Sequence, residues 1–126
     1  DMRLPIQYAL TYPHRMEMCA NELDLLSCGS LTFDEPDLET FRCLALAYRA
    51  GGVGGIMPAV LNGANEAAVE LFLREQIHFL DIADLVEGAM EAHRAKQNPN
   101  ISDILEADGW AREYVLANLH KIGNRN

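Results

Sequence analysis

Three observations predict an all-α fold. Apolar residues recur at helical spacing in four successive segments between residues 36 and 123. Prolines and glycines punctuate the joins between these segments. No stretch reads convincingly as the strand–helix–strand unit of a parallel sheet. The expected architecture is a four-helix bundle-like C-terminal domain preceded by a short helix and an extended linker arm. The short connections favour antiparallel neighbours.

Residues 4–12 read as the short helix. Pro5 suits its first turn, where a missing N–H costs nothing, and Pro13 forbids continuation. Residues 14–36 carry no helical periodicity, and Leu31-Thr32-Phe33 alternates as a short strand or extended run would. An irregular stretch of that length marks a linker or a functional loop; it is read as a linker.

Pro36 is expected to open the first bundle helix behind Asp34 and Glu35. Asp37 and Glu39 then lie against the positive end of its dipole. Leu38, Phe41, Leu44, Ala45 and Tyr48 give it one face predicted to be buried, and Gly51-Gly52 are predicted to end it. The second helix runs from about Pro58 to Arg74. Val60, Leu61, Ala64, Ala67, Ala68, Val69, Leu71 and Phe72 make it apolar on more than one side, the mark of a central helix.

The third helix begins around Asp81, a candidate cap, and carries the cleanest stripe: Ile82, Leu85, Val86, Ala89, Met90 and His93. The Asn98-Pro99-Asn100 turn is expected to end it. Ser102 is then expected to cap a short turn through Leu105. Asp108 should cap a last helix bearing Ala111, Tyr114, Val115, Leu119 and Ile122, closed by Gly123.

The composition narrows the function classes. With 126 residues, 49% hydrophobic and 23% charged, the chain has the balance of one globular domain. Its net charge of −9 repels phosphate backbones and anionic headgroups, so no nucleic acid and no membrane surface is expected as a partner. No apolar stretch nears the roughly 20 residues of a membrane span, and no signal-peptide pattern is present. Because the sequence opens on Asp1 rather than Met, processing or missing upstream sequence is expected. Cys19, Cys28 and Cys43 are an odd number without a CxxC pair, so free, buried or half-buried thiols in a reducing cytoplasm are expected. The spacings of His14, Cys19 and Cys28 match no zinc pattern.

Few residues point to chemistry. Gly51-Gly52-Val53-Gly54-Gly55 lacks both phosphate-loop patterns and follows a helix rather than a strand, so it reads as a helix-to-helix turn. Asn62, Asn65 and Glu66 fall on one face of an apolar helix. They are read as a structural polar cluster whose hydrogen-bond partners are loop backbone groups, ahead of a hard-cation site with a single carboxylate. His14, His78, His93 and His120 form no paired-ligand motif, and no serine or cysteine sits in a nucleophile elbow. Trp110 and the tyrosines fall at packing spacing.

Four segments, in order, carry a family resemblance. They are Asp1-Met2-Arg3-Leu4-Pro5-Ile6 with Pro13; Leu31-Thr32-Phe33 with Pro36-Asp37 and Phe41-Arg42-Cys43-Leu44; Leu61-Asn62-Gly63-Ala64-Asn65-Glu66-Ala67-Ala68-Val69; and Phe72-Leu73 with Ile77-His78-Phe79-Leu80-Asp81-Ile82. Together they resemble the C-terminal portion of the 1-deoxy-D-xylulose 5-phosphate reductoisomerase family. The resemblance implies that residues 1–13 are the end of a central catalytic domain, 14–35 a linker and 36–123 a C-terminal helical bundle. It implies a parent oxidoreductase of isoprenoid biosynthesis (the non-mevalonate pathway). That enzyme isomerises 1-deoxy-D-xylulose 5-phosphate and reduces the intermediate with NADPH to 2-C-methyl-D-erythritol 4-phosphate. A divalent Mg or Mn ion is held by carboxylates of the central domain.

None of the family's catalytic residues, metal ligands or nucleotide-binding glycines falls within these 126 residues. Met2 alone carries over, as a residue near the nicotinamide and substrate region. Leu4 stands where threonine is common, and Gly63 where alanine is usual, at an expected loss of about 1 kcal/mol of helix stability. The chain alone is expected to be inactive, because transition-state stabilisation needs metal and phosphate contacts outside it. The remaining domains of the parent are its expected partners. A homodimer is expected as well, since Leu4, Ile6, Tyr8, Leu10, Leu23, Leu25 and Leu26 would otherwise expose apolar surface. The alternatives are a free-standing helical interaction module, or a small metal-dependent enzyme built on Asn62, Asn65 and Glu66.

Overall fold

The computed structural model describes residues 2–121. Among the described residues every regular element is helical: α1 (Arg3–Thr11), α2 (Leu25–Cys28), α3 (Arg42–Val53), α4 (Met57–Leu73), α5 (Asp81–Ala92), α6 (Ile101–Ala117) and a 3-10 turn (Leu119–Lys121). The chain divides into two compact units, Asp1–Glu35 and Pro36–Asn126.

In the first unit, Pro5 sits in the opening turn of α1, and the helix stops two residues before Pro13. The following segment folds back along it. Gln7 Nε2 donates to the Glu17 carbonyl (2.7 Å), and the Arg15 guanidinium lies 4.2 Å above the Tyr8 ring. The arm is not extended throughout. Asp24 accepts from the Leu26 N–H (3.0 Å) and caps the single turn α2, which Gly29 stops at φ +67°. Leu31-Thr32-Phe33 forms no strand. Neither α1 nor α2 buries a residue.

The second unit is the four-helix bundle, with α4 at its centre against α3, α5 and α6. Its apolar residues on more than one side suit that place: Val60, Ala64, Ala68 and Leu71 are buried on one face, and Leu61, Val69 and Phe72 pack against the core beside it. The α5 stripe is buried from Ile82 through Met90, and α6 adds Ala107, Ala111 and Val115. Alanines on α4, α5 and α6 leave room for the helices to approach closely.

α3 departs from expectation at both ends and on its face. Asp37 caps a separate turn, accepting from the N–H groups of Glu39 (3.1 Å) and Thr40 (2.9 Å), so the helix starts at Arg42 instead of Pro36. Gly51 and Gly52 stay helical; the stop falls at Gly54 and Gly55, with φ of +67° and +55°. A Cβ on Gly55 would lie 2.3 Å from the Lys96 carbonyl oxygen, so only glycine fits that corner. The buried positions are Leu46 and Ala50, while Phe41, Leu44 and Tyr48 are exposed. Ion pairs lie on the buried side of this rotation: Arg42 reaches Asp84 (2.7 Å) and Glu87 (2.6 Å) on α5, and Arg49 lies 3.6 Å from Glu87.

α6 is continuous where two elements were expected. Asn100, not Ser102 or Asp108, is its cap. The Asn100 side chain accepts from the Asp103 N–H, and the Asp103 carboxylate accepts from the Asn100 N–H, each at 2.9 Å. Ile122 and Gly123, expected to close the helix, lie outside the described residues. Asp81 is the first residue of α5 rather than its cap, and its carboxylate accepts from the His78 N–H (2.7 Å). α5 ends at Ala92, before the Asn98 turn. All three cysteines are exposed, contrary to the expectation of buried thiols.

Candidate functional site

Asn62, Asn65 and Glu66 stand on the middle of α4, with Asn62 and Glu66 exposed and Asn65 half-buried. Asn62 Nδ2 donates to Glu66 Oε1 (3.3 Å), and Glu66 Oε2 accepts from Arg112 Nη2 of α6. Arg112 also donates through Nε to Asp108 Oδ2 (2.8 Å), one helical turn back. The carboxylate's partner is therefore an arginine on the neighbouring helix, where loop backbone was expected. Asn65 takes no part in these pairs.

The electrostatics follow from this arrangement. The Arg112 guanidinium, and then the Asn62 amide, hold the Glu66 carboxyl below its ordinary range. Asp108, and then Glu66, raise the guanidinium above its own. A cation at Glu66 would have to displace Arg112. Among the described residues no three His, Cys, Asp or Glu side chains lie close enough to hold a metal ion. The arrangement ties α4 to α6 and offers no general acid or base.

Arg112 was not singled out in the sequence, and Asp108 was singled out only as a helix cap. Their i, i+4 spacing was a readable signal. The cross-helix pair with Glu66, 46 residues away, was not.

The other candidates do not gather. His14, His78 and His120 are exposed and separate. His93, at the end of α5, stands 4.6 Å edge-on to Trp110, which tilts over Tyr114 at 5.2 Å; this is packing at the rim of the core. The glycine run forms the last turn of α3 and its stop. Met2 flanks the start of α1 and is 70% exposed.

Comparison with known proteins accounts for a chain with a built core and no assembled chemistry. The family model described as the DXP reductoisomerase C-terminal domain matches residues 1–114. The 1-deoxy-D-xylulose 5-phosphate reductoisomerase of Acetivibrio thermocellus is 56% identical over 115 residues, 91% of this chain and 30% of the relative. That of Crocosphaera subtropica is 52% identical over 128 residues, covering 100% of this chain and 32% of the relative. The solved structure of the Zymomonas mobilis enzyme in complex with NADPH superposes with a TM-score of 0.82 at 39% identity, over 94% of this chain and 32% of that one. A DOX-P reductoisomerase in complex with NADPH, fosmidomycin and magnesium gives 0.80 at 35% identity, over 100% and 33%. The chain thus spans about a third of the length of the relatives it matches, and it belongs to the DXP reductoisomerase family, of which it carries the C-terminal domain.

Proposed function

We propose that the chain is the C-terminal structural domain of an NADPH-dependent enzyme that converts 1-deoxy-D-xylulose 5-phosphate to 2-C-methyl-D-erythritol 4-phosphate. The observation that carries this is the family match over residues 1–114 in a chain spanning only 30% of a relative's length. The described residues fit neither NADPH nor a divalent ion. They supply no metal-holding cluster, and their glycine run ends a helix instead of joining a strand to one. Both groups belong, on this reading, to the rest of the parent. The bundle contributes by bracing the domains that hold them.

On the same reading residues 1–13 complete the central catalytic domain, 14–35 are the linker and 36–123 the bundle. Met2 lies near the nicotinamide and substrate region, which suits its exposure at the head of α1. The parent is a cytoplasmic homodimer. The exposed apolar residues of the first unit, among them Leu10 and Leu26, suit a segment that packs on other domains or on a second copy.

The test is turnover. Full-length enzyme should oxidise NADPH only with the sugar phosphate and Mg or Mn present, and these 126 residues alone should not. Sugar-phosphate-dependent oxidation by the isolated chain would overturn the proposal. A start codon directly before Asp1 would replace it with a free-standing helical module. Met2→Ala in the full-length enzyme is expected to raise KM for NADPH more than it lowers kcat; an unchanged KM removes Met2 from the site.

A further inference from the structure

Gly63 is a glycine that packing favours. It is buried midway along α4, and a Cβ on it would lie 2.7 Å from the Asp108 carbonyl oxygen of α6. The residue before it is Asn62, exposed on the same helix. An asparagine followed by glycine is chemically labile, because no side chain crowds the glycine nitrogen and its backbone turns freely. That nitrogen attacks Asn62 Cγ and gives up its proton to solvent. The Cγ–Nδ2 bond breaks and ammonia leaves, closing a cyclic imide. Water then opens the ring. Breaking the N–Cγ bond leaves an aspartate at position 62. Breaking the bond between the nitrogen and the Asn62 main-chain carbonyl leaves an isoaspartate, with the main chain rerouted through Cβ and Cγ. Packing against α6 thus favours the residue type that makes Asn62 labile.

The folded helix blocks this step. Ring closure needs the Gly63 nitrogen to swing over Cγ by rotation about the Asn62 ψ, which an α-helix holds at about −42°. The same N–H is committed to the carbonyl one helical turn back. Asn62 Nδ2 donates to Glu66 Oε1 (3.3 Å), which keeps the side chain along the helix, and the Asp108 backbone closes the space over Gly63. We infer that Asn62–Gly63 is a site of spontaneous modification that the fold holds shut, and that its conversion makes the opening of α4 irreversible. The aspartyl product weakens α4: it puts a second carboxylate one turn from Glu66, where like charges repel, and removes the amide that Glu66 accepts from. The isoaspartyl product goes further, adding a main-chain atom where α4 meets the Asp108 backbone. α3, α5 and α6 all pack against α4, so a chain carrying it does not rebuild the core. Unfolded protein that is modified faster than it refolds is lost from the native pool.

Peptide mapping of the whole protein by mass spectrometry tests this. Trypsin releases residues 50–74, which hold Asn62 and, as an internal control, Asn65, whose next residue is Glu66. In urea above the unfolding midpoint, Asn62 should convert about tenfold or more faster than Asn65. In native buffer at the same pH and temperature, it should convert about a hundredfold or more slowly than in urea. Equal rates at the two asparagines in urea, or at Asn62 in the two solvents, overturn the inference. After dilution from urea, the isoaspartyl peptide should concentrate in the fraction that fails to regain helicity and native elution volume. Asn62→Gln keeps the amide but lengthens the side chain by a methylene, which disfavours ring closure. Held in urea, it should stay refoldable severalfold longer than the unsubstituted protein. An isoaspartyl peptide recovered equally in refolded protein, or an Asn62→Gln variant that loses refolding just as fast, overturns the inference too. No arm depends on turnover, so failure here leaves the proposed reaction untouched.

Discussion

Gly63 sits where α4 crosses α6. A Cβ on it would lie 2.7 Å from the Asp108 carbonyl oxygen and 3.2 Å from the Asp108 Cα. Read from the sequence, this glycine only weakens its helix; in the fold it makes room for a neighbouring backbone, which cannot swing aside as a side chain can. Forcing a methyl into such a contact typically costs 1–3 kcal/mol, against about 1 kcal/mol gained from better helix propensity. Gly63→Ala is therefore expected to destabilise the chain by about 1 kcal/mol net of that gain. Gly109, mid-helix on α6, faces open space, so Gly109→Ala should stabilise by about 0.5–1 kcal/mol. Urea midpoints moving in opposite directions at constant m would bear this out. Two shifts of the same sign would contradict it. Propensity is local and legible in sequence, whereas the Asp108 backbone reaches Gly63 from 45 residues away and leaves no sequence signal.

At the scale of the element, sequence periodicity located all four bundle helices and identified α4 as central, because burial on several sides requires apolar residues on several sides. It misjudged α3. Periodicity finds an apolar stripe but does not name the neighbour that covers it, and α3 turns Leu46 and Ala50 inward, with Arg42 reaching Asp84 and Glu87 of α5. That correction is testable. Leu46, 5% exposed, should cost about 2–5 kcal/mol as Leu46→Ala. Leu44→Ala, at a position 38% exposed, should cost well under half as much in the chain alone. Equal losses would restore the face expected from sequence.

The head of α6 carries a pH dependence. Asp103 takes a hydrogen bond from Lys96 Nζ (2.5 Å) and from the Asn100 N–H, and these, in that order of weight, lower its carboxyl below the ordinary range. A depressed folded pKa stabilises fully above the unfolded value of about 3.9, and that stability drains away as pH falls through the folded pKa. Asp103→Asn should therefore flatten the loss of stability below about pH 4 while changing its slope near neutrality little. Asn100→Ala, which removes the other half of the box, should cost about 1 kcal/mol, present at neutral pH. The sequence suggested Ser102 as the cap of a short turn and Asp108 as the cap of a separate helix because both are good capping residues; the reciprocal Asn100–Asp103 pair instead caps one continuous helix.

At the scale of the molecule, the two units differ in how they are held. Among the described residues the bundle keeps eighteen hydrophobic side chains buried, while α1 and α2 bury none. An isolated helix shorter than about 12–15 residues is marginal in water, and α1 has nine. The sequence carried this asymmetry as residues 14–36 without periodicity, and on the proposed reading the partners of that segment lie in the rest of the parent. In the 126-residue chain, amides of α4 and α5 should exchange near the rate of global unfolding, and those of α1 should be protected by less than about tenfold. If residues 1–13 complete the catalytic domain, as proposed, Leu4, Ile6 and Leu10 pack on that domain in the full-length enzyme. The same α1 amides should then gain about a hundredfold protection or more, as a helix does when its apolar side is covered. Hydrogen exchange on both proteins under one buffer separates the cases. If α1 stays as open in the full-length enzyme as in the chain alone, residues 1–13 are not an integral part of the catalytic domain, and the division of the chain at residue 13 fails with it.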